Sequence, residues 1–282
     1  MDICFEIFTS SRYDLLVLTH VLGCTETERE YMHKVLFGSD FHIPYHDKRD
    51  MDLWFKVLRS FKPDTVAILG DLDDACPVSK YSDGKPEEVE KAIITYAPQV
   101  QEFFEKVRKT RPDARIHYAT GNHEARYDEY IAKKAPALKE LITPEFLWKT
   151  DTHGVELSYY NKPPFELFPK FFVHHGPYAV KDAGQSVRKV NDEFGISCMV
   201  GHSHRQAFVA KTYHLKNEII RGWEIGHMTD VDSEGMAYDR LHDWLPGFAV
   251  GYWDEESEYM HVELVTISPD KTCMVGGKLF KA

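Results

Sequence analysis

Five times between residues 35 and 204, a short apolar run stops abruptly at a cluster of Asp, Asn, Glu or His. Val35-Leu36-Phe37-Gly38 leads into Ser39-Asp40-Phe41-His42, and Thr65-Val66-Ala67-Ile68-Leu69 into Gly70-Asp71-Leu72-Asp73-Asp74. Arg115-Ile116-His117-Tyr118-Ala119 precedes Gly121-Asn122-His123-Glu124, and Phe171-Phe172-Val173 precedes His174-His175-Gly176. Ile196-Ser197-Cys198-Met199-Val200 then ends at Gly201-His202-Ser203-His204. Runs this short and this apolar read as buried strands. Open α/β sheets place their sites at strand ends, so this pattern asks for several strands delivering polar side chains to one edge.

Helical signals fill the gaps. Asp47 can cap a helix whose apolar face is Met51, Trp54, Leu58 and Phe61, ended by Lys62-Pro63. Ser82-Asp83-Gly84 reads as a turn and Pro86 as a first helical residue, with Glu87 and Glu88 behind it and a helix to about Arg108 that is bent or broken at Pro98. More helix follows residue 124, interrupted at Pro136, and Val187, Val190 and Phe194 mark a short helix closed by Gly195. The last third reads as strands over residues 247–253, 259–267 and 272–279. Early alternation and late strands predict an α/β (α+β-like) fold of layered sheets with helices outside. The domain is expected over residues 31–282, with residues 1–30 an arm or extension carrying none of the motifs.

The clusters have the composition of a metal site. On an extended segment Asp40 and His42 would point the same way, and His202 and His204 would repeat the arrangement. Asp71 follows a glycine that lets the chain turn, and its carboxylate can bridge two cations. Asn122 adds a neutral oxygen and His175 a further nitrogen. His174 and His175 are strand neighbours and must face opposite ways, so one of them enters the site. Two carboxylates, one amide and four imidazoles, without thiolate, suit Mn²⁺, Fe or Zn²⁺ better than Ca²⁺, and are enough for two ions.

The ordered motifs resemble the calcineurin-like metallophosphoesterase superfamily over residues 35–205. That resemblance implies a four-layer αββα sandwich of two mixed β-sheets flanked by helices. It implies two divalent ions, Mn²⁺ first. Asp40, His42, Asp71 and His204 would hold one, and Asp71, Asn122, His175 and His202 the other; His175 is chosen because the family ligand precedes Gly. Asp71 would bridge together with a hydroxide or water, the expected nucleophile. His123 would be the general acid or a stabiliser of developing charge. Glu124 and Asp74, rather than Asp73, would orient imidazoles and loop backbone. Arg126 would pair with Glu124 or reach a substrate phosphate.

The expected activity is phosphate-ester hydrolysis of a phosphodiesterase or nuclease type, on nucleotides or single-stranded nucleic acid. A phosphomonoesterase (phosphatase) and a non-catalytic scaffold, as in the retromer subunit that resembles this family, are the alternatives. With 45 Asp+Glu against 34 Lys+Arg the chain is acidic, which argues against a broad platform for duplex DNA. Cys4, Cys24, Cys76, Cys198 and Cys273 form no CxxC pair, so a disulfide framework is not expected and a reducing cytoplasm is. The apolar run before Cys24 is flanked by Asp2, Glu6 and Asp14, which does not suit export, and no membrane partner is expected. Lys211, Lys216, Arg221, Trp223, Tyr238 and Trp244 are candidates for a specificity wall. His227, Asp230, Asp232 and Glu234 are expected in a solvated loop after the last motif, with an overhang above the site as the alternative.

Overall fold

The computed structural model describes residues 32–79, 86–140, 142–233, 236 and 243–282. The expected arm over residues 1–30, the Ser82-Asp83-Gly84 turn, Glu234 and Tyr238 lie outside the described residues. The chain runs β1 (His33–Gly38), α1 (Lys48–Phe61), β2 (Thr65–Leu69), α2 (Pro86–Thr110), β3 (Arg115–Ala119), α3 (Ala125–Lys134), α4 (Pro144–Trp148) and β4 (Val155–Ser158). It continues with β5 (Phe165–Phe168), β6 (Phe171–His174), α5 (Gln185–Phe194), β7 (Ser197–Val200), β8 (Gln206–Tyr213) and β9 (Glu218–Ile225). The end is all strand: β10 (Gly247–Asp254), β11 (Tyr259–Thr266), β12 (Thr272–Val275) and β13 (Lys278–Lys281).

Two mixed sheets result. The first has the order β11-β10-β1-β2-β3-β4, parallel from β1 to β4 and antiparallel at β10 and β11. The second has the order β5-β6-β7-β9-β8, with a parallel centre of β6, β7 and β9. Strand side chains alternate, and both faces of β1 and β2 are covered, which is why these runs are apolar throughout. Val35, Phe37, Ala67 and Leu69 face Phe171, Val173, Met199, Trp223 and Ile225 between the sheets. Leu36, Val66 and Ile68 face Trp54, Leu58, Phe103 and Phe104 of α1 and α2. Val187 and Val190 of α5 cover Cys198 and Val200 on the far side of the second sheet. The layers are therefore helix, sheet, sheet, helix: the four-layer sandwich.

Asp47 caps α1 as expected, accepting from the backbone N–H groups of Arg49 and Asp50. Elsewhere the structure narrows or corrects the expectation. Of the bend or break expected at Pro98 the break does not occur, since α2 is one helix from Pro86 to Thr110. Proline removes one backbone hydrogen bond, but Val100, Phe104 and Val107 are fully buried beyond it and that packing holds the helix. The expected single strand over residues 272–279 is a hairpin, β12 paired with β13. Gly276 and Gly277, with φ of 54° and 78°, form the two-residue turn that this twist favours.

Candidate metal centre

All five motifs lie just beyond strand ends of the two sheets, and backbone hydrogen bonds tie their loops to one another. Asp40 N–H donates to the Gly70 carbonyl at 3.0 Å and His42 N–H to the Asp71 carbonyl at 2.8 Å. Gly201 N–H donates to the His175 carbonyl at 2.9 Å. The glycines before the motifs are steric necessities. A Cβ on Gly121 would lie 2.1 Å from Asp71 Oδ1, and one on Gly70 2.4 Å from His175 Nδ1, where φ is also +88°.

Asp40, His42, Asp71, His202 and His204 all have φ between 49° and 65°. Non-glycine residues are uncommon in this left-handed region, and each costs on the order of 1 kcal/mol or more. This corrects the expectation of an extended Asp-x-His segment. β1 stops at Gly38 and β7 at Val200, so tight left-handed turns, not a strand pleat, bring each pair of side chains to one side.

The donor atoms converge in two groups. In the first, His204 Nε2 lies 3.1 Å from Asp40 Oδ1 and 3.2 Å from His42 Nε2, with Asp71 Oδ2 3.9 Å from His42 Nε2. In the second, His175 Nε2 lies 3.1 Å from Asp71 Oδ2, 3.0 Å from Asn122 Oδ1 and 3.2 Å from His202 Nδ1. Asp71 belongs to both. His42 turns Nδ1 to Asp74 Oδ2 at 2.9 Å, and His175 turns Nδ1 to the Leu69 carbonyl at 2.7 Å. Each ring therefore uses Nδ1 outward and turns Nε2 inward, the orientation of metal-binding histidines. Asp40 Oδ2 accepts from His202 N–H and Ser39, while buried Oδ1 has no hydrogen-bond donor and faces the group. These donors fit a cation in each group.

The electrostatics are those of a centre that attracts positive charge: burial lowers the pKa of His175, but Asp71 and Asp40 outweigh it and bring it up to about 10. Burial raises the carboxyl pKa of Asp71, but the imidazoles of His123, His175 and His42 outweigh it and hold Asp71 well below the usual range. Burial also works against Asp40, and His204 and His175 still bring it to about 2. Burial and the neighbouring His175 push His202 down to about 4, so its ring is neutral at pH 7, the ligating form.

The supporting residues separate cleanly. Asp74 holds His42 and also His123, whose Nδ1 lies 2.7 Å from the Asp74 carbonyl. Asp73 turns away, its Oδ2 accepting from Trp148 Nε1 at 2.9 Å and Tyr127 at 3.1 Å. The Glu124 carboxylate accepts from the N–H groups of Asp71, Asp73 and Gly121 and from the Tyr118 hydroxyl. That makes Glu124 an organiser of two loops, with no imidazole among these partners. His174 faces the carbonyls of Tyr160 and Lys162, so His175 is the one that enters the cluster. His123 lies 3.8 Å from Asp71 through Nε2, but Nδ1 is engaged with Asp74 and Nε2 with Arg126 Nη2 at 2.7 Å. Arg126 also donates to the Asp74 carbonyl at 3.0 Å; the expected pairing with Glu124 is replaced by these contacts.

Two expectations about the surroundings change. His227 is fully buried and stacks on His204 at 5.3 Å, so it is part of the wall of the site rather than of a solvated loop. Trp244, from the expected specificity wall, packs edge-on to His204 at 4.3 Å. Trp223 is instead in the core between the sheets, Lys211 pairs with Asp192, and Arg221 lies over Tyr259. Tyr160, which no motif marks, has its ring 6.0 Å from that of His175.

Among the described residues no helix is long and apolar enough to cross a membrane. The family model described as calcineurin-like phosphoesterase matches residues 33–206. The gene 54 protein of Mycobacterium phage L5 is 24% identical over 255 residues, covering 87% of this chain and 95% of the phage protein. The gene 54 protein of Mycobacterium phage D29 is 25% identical over the same length and shares. Among solved structures, vacuolar protein sorting 29 from Cryptosporidium parvum matches with 17% identity and a TM-score of 0.44, covering 88% of this chain and 94% of that one. The E. coli phosphoesterase Yfce matches with 14% identity and a TM-score of 0.40, covering 86% and 97%.

Proposed function

Because the chain belongs to the calcineurin-like phosphoesterase family, we propose that it hydrolyses phosphodiesters, of nucleotides or single-stranded nucleic acid, with two divalent ions, Mn²⁺ first and Fe or Zn²⁺ next. The observation that carries this reading is the position of Asp71, whose Oδ2 lies 3.1 Å from His175 Nε2 of one group and 3.9 Å from His42 Nε2 of the other. Asp40, His42 and His204 with Asp71 would hold one ion; Asn122, His175 and His202 with Asp71 would hold the other. Two such ions supply an activated water near neutral pH and screen the charge of the phosphoryl oxygens.

The protein's own groups do the rest. Burial lowers the pKa of His123, but Asp71 and Asp74 outweigh it and hold the ring above its ordinary value. A protonated His123 and Arg126 cannot both donate across the 2.7 Å between Nε2 and Nη2. Movement of Arg126 onto a substrate phosphate would therefore free Nε2–H to protonate the leaving oxygen. Trp244 and Tyr160 stand at opposite groups of donors, beside His204 and His175. Flat rings on both sides suit a phosphate with two organic substituents better than a monoester.

The test is Mn²⁺-dependent hydrolysis of bis-p-nitrophenyl phosphate beside p-nitrophenyl phosphate. Chelator-sensitive turnover with the diester preferred is the expected result. A monoester preference would overturn the diester reading. Failure to bind any divalent ion, with neither ester cleaved, would overturn the hydrolase reading and leave a scaffold.

A further inference from the structure

A cleft of about 360 Å³ opens between the loop that follows β4, the β6–α5 connection and the C-terminal end of α5. Its size falls at the lower end of small-ligand sites, room for a nucleoside and not for a duplex. His174 lines it, and His174 hydrogen-bonds the carbonyls of Tyr160 and Lys162 at 3.1 and 3.2 Å. That staple fixes the loop against the strand whose next residue is His175. Tyr160 is further anchored by its N–H, which donates to Thr120 Oγ1 at 3.0 Å, two residues before Asn122. Its ring lies 5.8 Å from that of His174, which lines the cleft, and 6.0 Å from that of His175, which belongs to the metal centre, so Tyr160 links the two.

The rest of the lining is mostly flat or apolar, with Pro177, Tyr178 and Phe194, the last 41% exposed. Glu193 also lines the cleft, and its carboxylate accepts from the Tyr178 hydroxyl. The Tyr160 hydroxyl, the Asn161 amide and the Lys162 ammonium have no hydrogen-bond partner among the described residues. An amide offers a donor and an acceptor side by side, the pattern that reads a base edge, and a tyrosine face stacks on any base.

We propose that this cleft holds the nucleoside of a nucleotide ester, with Tyr160 as its stacking platform, while the phosphate lies in the metal centre. The inference rests on the phosphoesterase reading for the position of the phosphate. The cleft supplies what the metal ligands cannot, a preference for nucleotides over simple esters.

The experiment compares the binding of AMP and of inorganic phosphate to the Mn²⁺-loaded protein by calorimetry, with ester turnover measured on the same preparation. AMP is expected to bind about tenfold more tightly than phosphate, within the range a stacked base contributes. Tyr160→Ala is expected to bring the two affinities within about twofold, chiefly by weakening AMP, and Tyr160→Phe to keep the preference. AMP binding no tighter than phosphate, including no detectable binding of either, would overturn the cleft assignment, as would a preference that survives Tyr160→Ala. An AMP preference without turnover of any ester would sink the phosphoesterase reading and leave the cleft; turnover without the preference would do the reverse.

Discussion

Asp71 and His123 differ in what their loss should do, because one joins the donor groups and the other only faces them. Asp71→Asn removes the shared charge, so metal binding and turnover are both expected to fail in calorimetry and in the diester assay. His123→Ala keeps every donor, so metal binding should persist while kcat falls by roughly 10²–10⁴-fold, the ordinary worth of a positioned acid. Equal loss of metal in both variants would deny His123 that role. Away from the site, His117 is fully buried and stacked on Phe165 at 4.2 Å. Burial, opposed by Glu156, pushes its pKa down to about 4 from an unperturbed 6.5. A ring kept neutral in the fold but protonated in the unfolded chain makes stability fall with acid. Its contribution is full above pH 6.5 and is lost as pH drops towards 4. His117→Phe keeps the stacking, so it should flatten this slope, by on the order of 2 kcal/mol between pH 7 and 4.5 in urea titrations. An unchanged slope would place the acid sensitivity elsewhere.

Elements were legible in the sequence wherever a local signal agreed with burial. The Asp47 cap and the apolar face of α1 are both in the chain and both in the fold. Pro98 is the less legible case, since a local rule allows a bend or a break and the buried face of α2 decides against the break. The C-terminal hairpin was hidden because two glycines between β-forming residues do not announce which strand they divide. Its preceding turn is fastened by Lys271, whose ammonium reaches Asp47 Oδ2 at 2.6 Å and Asp50 Oδ2 at 2.8 Å. Asp50 is 1% exposed, so removing its cation leaves a buried carboxylate without a counter-charge. Lys271→Met is expected to cost about 3 kcal/mol in urea unfolding. A change under about 0.5 kcal/mol would mean that the cluster behaves as an exposed pair.

Across the whole molecule, loops from both sheets meet at the donor groups, so a bound ion would tie the two sheets together. Two carboxylates and five left-handed residues are gathered there at a cost that cations would offset. Mn²⁺ at about 100 times its Kd should add about 2.7 kcal/mol to stability, raising Tm by roughly 5–10 °C. Asp71→Asn should lose that increment. A wild-type Tm indifferent to Mn²⁺ would show that the ions do not bind the folded state more tightly than the unfolded one.

The sequence by itself determined the strands, most of the helices, the layer order through its resemblance, and the donor types in their loops. It could do so because alternation, caps and the positions of Asp, Asn and His are properties of neighbouring residues. Only the tertiary structure decided how the donors point, through left-handed turns rather than strand pleats, and where Asp73 turns instead, to Trp148 and Tyr127. It also moved Arg126 from Glu124 to His123, brought His227 and Trp244 beside His204, and set Tyr160 beside His175. Those contacts join residues remote in the chain or depend on the path of a loop, and no local pattern encodes either.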